Sequence, residues 1–319
     1  MQWDKWGRRI GTIVLLALFL GGMARAASTW AQEASTISVN VNVVSLLATV
    51  HDKDGRAVKD LTQGDFALLE DGAPQTIRYF SQESDLPLTI GLLVDTSRSQ
   101  TGVLERERRA SQAFLDQVLH QDTDSAFVVQ FDTRVEILQG LTSSRVDLAS
   151  ALDRLRIPGK YATLIYSAVR ESSEGVMRKQ QGRKAFILLT DGVAFRDSTS
   201  IETAIEFAQR ADTIIYSIRF SDRIPIRRPV KAVVLAAASE RGKHGLQRMA
   251  RETGGVAYEV TQNETIESIY SQIEDTLRSQ YSIGYTPERP IGDGKYRQVK
   301  LTTKDRRLTV NTRNGYYAK

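Results

Sequence analysis

Two kinds of hydrophobic pattern divide the chain. Residues 36–85 and 281–319 alternate apolar and polar positions with a period of two, as from Ile37 to Val43, which indicates short, half-buried strands. Between them, residues 86–280 alternate continuous apolar runs such as Leu88–Val94 with segments whose apolar residues recur at helical spacing. Continuous apolar runs are typical of strands buried on both faces of a parallel sheet. The pattern predicts a doubly wound, mostly parallel α/β domain over 86–280.

The two flanks are each too small to fold well alone. Each is expected to supply three or four strands, and an isolated small sheet with one apolar face is marginally stable. We expect 36–85 and 281–319 to pair into one β-sandwich of six or seven strands, with the α/β domain inserted between them. The alternative is two independent β-appendages. Within the α/β region, the prolines and arginines of 221–242 predict an irregular insertion or lid.

The first residues have the composition of a secretory signal. Residues 1–26 combine a positive start, an apolar run from Ile10 to Ala24 and a small-x-small ending at Ala24–Ala26. The apolar run is shorter than the roughly 20 residues that span a bilayer, so no membrane span is expected after cleavage. An uncleaved N-terminal anchor is the alternative. A signal predicts a secreted, periplasmic or envelope protein.

Composition excludes several classes of protein. The chain has no cysteine and three histidines, which argues against a disulfide scaffold, a zinc finger or a thiol nucleophile. Its net charge is +5, but residues 1–26 hold four basic residues and one acidic residue, so the mature chain carries only +2. No basic stripe with interleaved aromatic residues remains to indicate nucleic-acid binding.

Oxygen-bearing side chains follow the predicted strands where ligands of an open α/β sheet bind. Asp95, Ser97 and Ser99 follow the first strand, Asp191 follows a later one, and Thr163 precedes a helix. Two carboxylates and three hydroxyls suit Mg²⁺, the expected ion, or Mn²⁺ or Ca²⁺, rather than Zn²⁺ or copper. The alternative is that Asp95, Ser97 and Ser99 only cap the next helix, which leaves Thr163 and Asp191 unexplained.

These motifs resemble a known family. The string Asp-x-Ser-x-Ser at 95–99, then Thr163, then Asp191-Gly192, resembles the metal-ion-dependent adhesion site of von Willebrand factor type A (VWA) domains, and the resemblance covers Leu86 to Gln280. The flanks, with Asp-Lys-Asp-Gly near residue 54 and Gly-Tyr-Tyr at 315–317, resemble more narrowly the bacterial secreted "VWFA-related Acidobacterial domain" proteins. That family has no settled biochemical role.

The resemblance implies a role for each site residue. Ser97 and Ser99 would bind the metal directly, Asp95 and Asp191 partly through water, and Thr163 according to the ligation state. An Asp or Glu of a partner protein would complete the octahedron. Around this site, Arg98, Lys160 and Tyr161 are candidates for a partner-binding rim, although solvated charges are the alternative for Arg98 and Lys160. Members of the family often have small residues before the threonine. Lys160-Tyr161-Ala162 departs from that pattern, which bears on ligand preference.

Three functions compete at this stage. The first is a non-enzymatic, metal-dependent protein-binding module without catalytic residues. The second is a phosphoryl-transfer enzyme with Asp95 as nucleophile, which is disfavoured because Ser97 stands where such enzymes need a second acid. Nucleotide chemistry is also disfavoured, because the first strand–helix turn has no glycine-rich phosphate loop. The third is a structural envelope subunit in which a metal only stabilises the loops.

Overall fold

The structure is a computed structural model that describes residues 43–82, 86–120, 122–158, 161–220, 229–289 and 292–318. The predicted signal of residues 1–26, the strand predicted from 36 to 42 and the rim candidate Lys160 lie outside the described residues.

The flanks supply eight of the described strands. Those of the N-terminal flank are β1 (Val44–His51), β2 (Phe66–Glu70), β3 (Ala73–Gln75) and β4 (Ile77–Gln82). The α/β region supplies β5 (Leu88–Asp95), β6 (Ser125–Phe131), β7 (Val135–Thr142), β8 (Arg183–Thr190), β9 (Ile214–Arg219) and β10 (Ala257–Glu259). The C-terminal flank supplies β11 (Tyr281–Tyr285), β12 (Tyr296–Thr303), β13 (Thr309–Thr312) and β14 (Gly315–Tyr317).

The two flanks form one β-sandwich, as predicted. One four-stranded sheet has the order β13-β1-β11-β4 and the other β14-β12-β2-β3, so each sheet takes strands from both ends of the chain. In β1, Leu46 and Ala48 alternate with more exposed residues and pack in one core with Leu68 of β2 and Leu301 of β12. The flanks have four described strands each, eight in all. The prediction of six or seven strands for the sandwich was therefore too low.

The α/β region forms a separate six-stranded sheet with the order β10-β9-β8-β5-β6-β7. All its described pairings are parallel except that of β6 with β7. Every residue of β5 and β8 is buried, because helices cover both faces of the sheet. These helices are α1 (Leu104–Val118), α2 (Arg145–Asp153), α3 (Ile165–Gly175), α4 (Ile201–Arg210), α5 (Pro229–Thr253) and α6 (Ile266–Leu277).

Helix α5 corrects one prediction. The stretch 221–242 is predicted to be an irregular insertion or lid; its residues 221–228 lie outside the described ranges, and the chain is helical from Pro229 onward. Proline is compatible with the first turn of a helix, where its missing N–H has no partner to lose. The alanine-rich sequence that follows Pro229 has high helix propensity.

Arg183 fixes both connections between the sandwich and the α/β domain. Its side chain is buried at the start of β8. The guanidinium donates hydrogen bonds to the carbonyl oxygen of Leu86, just before β5, and to that of Leu277, at the end of α6. The chain therefore enters and leaves the α/β domain at neighbouring points, so a compact domain can interrupt the sandwich.

Candidate metal centre

The loop after β5 gathers the first three candidate ligands. Asp95 ends β5 and is fully buried. Its Oδ1 accepts a hydrogen bond of 2.8 Å from the backbone N–H of Ser97, a turn that Asp side chains commonly make. The hydroxyl oxygens of Ser97 and Ser99 lie 3.0 Å apart. The loop thus concentrates a carboxylate and two hydroxyls beside one strand end.

Asp191 follows the neighbouring strand β8. The pairing of Val94 with Leu189 sets the ends of β5 and β8 side by side. Thr190 donates a hydrogen bond of 2.5 Å from its hydroxyl to Asp95, and its Oγ1 accepts one from the N–H of Gly192. Asp191 Oδ1 accepts from the N–H of Val193 at 2.8 Å. These bonds fix the Asp191 loop against the Asp95 loop.

Helix α5 and strand β9 support the Asp191 loop from behind. Gly192 has φ +85°, and a Cβ there would lie 2.9 Å from the backbone of Gly242 in α5. Only glycine combines this left-handed conformation with so close an approach. The buried Arg219 of β9 donates to the carbonyl oxygen of Asp191 at 3.2 Å.

Thr163 reaches the same end of the sheet on a third loop. It is almost completely buried and forms a backbone bridge with Phe195, with N···O distances of 2.9 and 3.1 Å. The next helix, α3, is fixed by Asp197, whose carboxylate accepts from the N–H groups of Tyr166 and Ser167. Thr163 is therefore joined to the segment that follows Asp191, while no described bond joins its hydroxyl to the other candidate ligands.

The buried carboxylates dominate the electrostatics. Burial and the nearby charge of Asp191 raise the pKa of Asp95 to about 7, although hydrogen bonds from Thr190 and Ser97 oppose the rise. Burial, with the charge of Asp95, also raises the pKa of Glu107 on α1 well above its usual range. Glu107 is fully buried, and neither of its carboxyl oxygens has a hydrogen-bond partner among the described residues. The region therefore has an excess of negative charge when these groups ionise.

The candidate donor set consists of two carboxylates and three hydroxyls. Within the described ranges, no group of three or more His, Asp or Glu side chains could hold a metal ion. A hard divalent cation is the ion that such an all-oxygen set suits.

The sequence of the α/β domain identifies the protein family. The sequence-family model of the von Willebrand factor type A domain matches residues 89–272, more than half of the chain. The chain belongs to this family. The match begins in β5 and ends in α6, and it includes all five candidate ligands.

Solved structures are similar to the chain at low sequence identity. Proximal thread matrix protein 1 from the mussel byssus is 16% identical with a TM-score of 0.50, over 66% of this chain and 51% of that chain. The chain thus spans about half the length of the mussel protein. BatB from Bacteroides thetaiotaomicron is 17% identical with a TM-score of 0.46, over 61% of this chain and 100% of its own. The vWF domain of the type V pili tip protein Mfa5 from Porphyromonas gingivalis is 12% identical with a TM-score of 0.47, over 60% and 95%.

No curated protein matches the chain. Among the helices that the structure describes, none is both long and apolar enough to cross a membrane.

The VWA site contains residues that sequence reasoning missed. From the sequence, Thr190 is only the last residue of a strand, and Glu107 is expected on the charged surface of α1. Phe195 and Asp197 lie in a loop without any recognised motif. A polar residue at the end of an apolar strand was the available signal for Thr190. Of the predicted rim, Arg98 and Tyr161 are in contact, since the Arg98 guanidinium donates to the Tyr161 hydroxyl.

Proposed function

We propose that this VWA protein is a metal-dependent protein-binding module without catalytic turnover. The observation that carries the proposal is the pairing of β5 with β8, which sets the buried Asp95 beside the loop that holds Asp191. Two such carboxylates repel each other, and a divalent cation between the loops would remove that repulsion.

The residues present fit Mg²⁺. Asp95, Ser97, Ser99, Thr163 and Asp191 would hold it directly or through water, and the bound ion would supply a positive centre for an incoming carboxylate. The hydrogen bonds to Asp95 from Thr190 and the Ser97 amide orient that carboxylate. Arg219 donates a hydrogen bond to the backbone carbonyl oxygen of Asp191 and so holds that loop in place. An Asp or Glu of a partner protein would complete the coordination.

The proposed location is outside the cytoplasm, secreted or in the cell envelope. The support is the signal-like sequence of residues 1–26. A solved structure with the same fold, proximal thread matrix protein 1 of the mussel byssus, is a matrix protein.

Phosphoryl transfer by Asp95 fits the structure poorly. A nucleophilic carboxylate must reach its substrate, whereas Asp95 is fully buried and both its oxygens accept hydrogen bonds. A structural subunit would use the ion only to stabilise the loops and would bind no partner through it. The test below therefore distinguishes this function from the proposed one.

The test is a pull-down from envelope extract with the mature protein, in Mg²⁺ and in chelator. We expect to recover partners that bind the wild-type protein only in Mg²⁺. The Asp191→Ala variant should not bind these partners. Asp153→Ala, which changes an exposed carboxylate on α2, is the matched control and should bind like wild type. Equal binding by Asp191→Ala contradicts the metal mechanism. Metal-dependent stability without any metal-dependent partner would favour the structural subunit.

A further inference from the structure

Two exposed aromatic rings flank the buried Thr163. Tyr161, two residues earlier, has 62% of its surface exposed, and Phe195, bridged to Thr163 through the backbone, has 49%. Large aromatic side chains grouped on a surface often mark an interaction site. Tyr161 accepts a hydrogen bond from Arg98, which stands between the candidate ligands Ser97 and Ser99, and Phe195 is bridged to the candidate ligand Thr163.

An arginine guanidinium lies close to each of the two aromatic rings. The Arg98 guanidinium lies 4.9 Å from the centre of the Tyr161 ring and donates a hydrogen bond to its hydroxyl. The Arg196 guanidinium lies 5.3 Å from the centre of the Phe195 ring. Cation–π contacts at such distances hold the flat guanidinium against the ring. Arg98 belongs to the Ser97–Ser99 loop and Arg196 follows Phe195, so the two pairs come from different loops.

The two arginines keep their charge available. In the part of the chain that the structure describes, no carboxylate forms an ion pair with Arg98 or Arg196, and both side chains are exposed. Arg196 also has φ +58°, a conformation that residues other than glycine seldom adopt. Two positive charges are therefore exposed on the loops of the acidic centre.

We infer that this surface, formed by Arg98, Tyr161, Phe195 and Arg196, binds a protein segment in which an aromatic or aliphatic residue is flanked by acidic residues. The inference rests on the proposed function for one of the carboxylates, which would go to the metal. A further carboxylate of the segment pairs with Arg98 or Arg196, and the apolar side chain packs against Tyr161 and Phe195. Oligosaccharides also bind exposed aromatic rings, but the positive charges of Arg98 and Arg196 beside these rings favour an anionic segment over a neutral sugar.

The experiment is a selection from a random peptide library displayed on phage, with the folded wild-type protein in Mg²⁺ as bait. We expect enriched sequences to combine an apolar residue with at least two Asp or Glu residues. A synthetic copy of an enriched peptide should bind the double variant Arg98→Ala/Arg196→Ala about tenfold more weakly, which is the effect of losing one or two exposed charge pairs. Arg178→Ala, an exposed arginine after α3, is the matched control and should leave binding unchanged.

The outcomes separate the inference from the proposed function. Peptide binding that chelator abolishes but the double variant retains overturns the inference and leaves the metal mechanism standing. Binding that the double variant loses but chelator and Asp191→Ala do not affect supports the rim and contradicts the metal mechanism. Enrichment of sequences without acidic residues, or no enrichment, overturns the inference. The inference is also overturned if the protein binds a soluble glucan oligosaccharide, if Tyr161→Ser and Phe195→Ser abolish that binding, and if the double arginine variant retains it.

Discussion

The Thr190 hydroxyl donates a hydrogen bond of 2.5 Å to Oδ2 of Asp95, and both side chains are fully buried. Thr190 is thus the one described side chain that joins the end of β8 directly to the candidate ligand of β5. A hydrogen bond to the charged form of a carboxyl favours that form. Thr190 therefore opposes the burial and repulsion that raise the pKa of Asp95.

Removing this hydroxyl tests its effect on Asp95. We expect Thr190→Val, which keeps the shape of the side chain, to raise the pKa of Asp95 further and to lower the free energy of unfolding by about 1–3 kcal/mol. Thr190→Ser keeps the donor and is the matched control. The measurements are urea denaturation as a function of pH and Mg²⁺ titration by calorimetry. Identical profiles for the valine and serine variants would contradict the proposed role.

The pKa of Asp95 also predicts a pH dependence of stability in the metal-free protein. Its folded value of about 7 lies above the ordinary 3.8, so the folded state binds a proton more tightly than the unfolded state. The contribution to stability is complete below about pH 4 and is lost as the pH rises through about 7, with a total of about 4 kcal/mol.

Comparison with Asp95→Asn isolates this contribution from that of other groups. In chelator, the difference in unfolding free energy between wild type and Asp95→Asn should fall steadily from about pH 4 to about pH 7. Saturating Mg²⁺ should reduce the fall, because a bound cation favours the ionised carboxylate. A difference that stays constant over this range would show that Asp95 has an ordinary pKa.

The contact between Gly192 and Gly242 predicts a costly substitution. In Gly192→Ala the new Cβ would both occupy a left-handed backbone position and approach the Gly242 backbone to 2.9 Å. Gly72→Ala is a matched control, since Gly72 has φ +84° but no atom within 4 Å of the added Cβ. We expect the control to cost about 1 kcal/mol and Gly192→Ala at least twice as much. Thermal unfolding of both variants measures the difference, and equal losses would contradict the close contact.

The shared sandwich predicts the effect of deleting residues 281–319. Strand β11 lies between β1 and β4, and β12 lies between β14 and β2. Without them, β1, β2 and β4 lose their neighbours and the core that both flanks share. Limited proteolysis should then cut within 43–82, while the α/β domain stays folded. Continued protection of 43–82 would mean that the N-terminal flank folds alone.

Much of this architecture could be predicted from local pattern. The apolar run of β5 is long and uninterrupted because both faces of the strand are buried, and strands alternate with helices because a parallel sheet needs crossovers. The placement of Asp95 and Asp191 follows from the same topology. The prediction failed at Pro229, where proline indicated a break although it stands in the first turn of a helix.

Other features depend on contacts between distant residues. Glu107 lies in the sequence Glu-Arg-Glu-Arg-Arg, which indicates an exposed helix surface, yet its side chain is fully buried near Asp95. The pairing of Phe195 with Thr163 joins residues from two loops, and neither loop has the alternation that indicates a strand. Such contacts arise only when the strand ends come together, so local pattern could not reveal them.

The way Arg183 fixes both connections has a mechanical consequence for a protein that is held at its ends. Tension applied between residues 43 and 318 enters through β1 and β14, and the few residues between β14 and β13 pass it to the direct pairing of β13 with β1. The α/β domain joins this path only from the side, where Arg313 donates to Asp212 and the N–H of Asn314 donates to the carbonyl oxygen of Glu252. A pull on the metal-centre loops, in contrast, is carried covalently through the two chain crossings at Leu86 and Leu277, which one buried guanidinium holds together, and the hydrogen bonds of Arg313 and Asn314 to the domain take the rest.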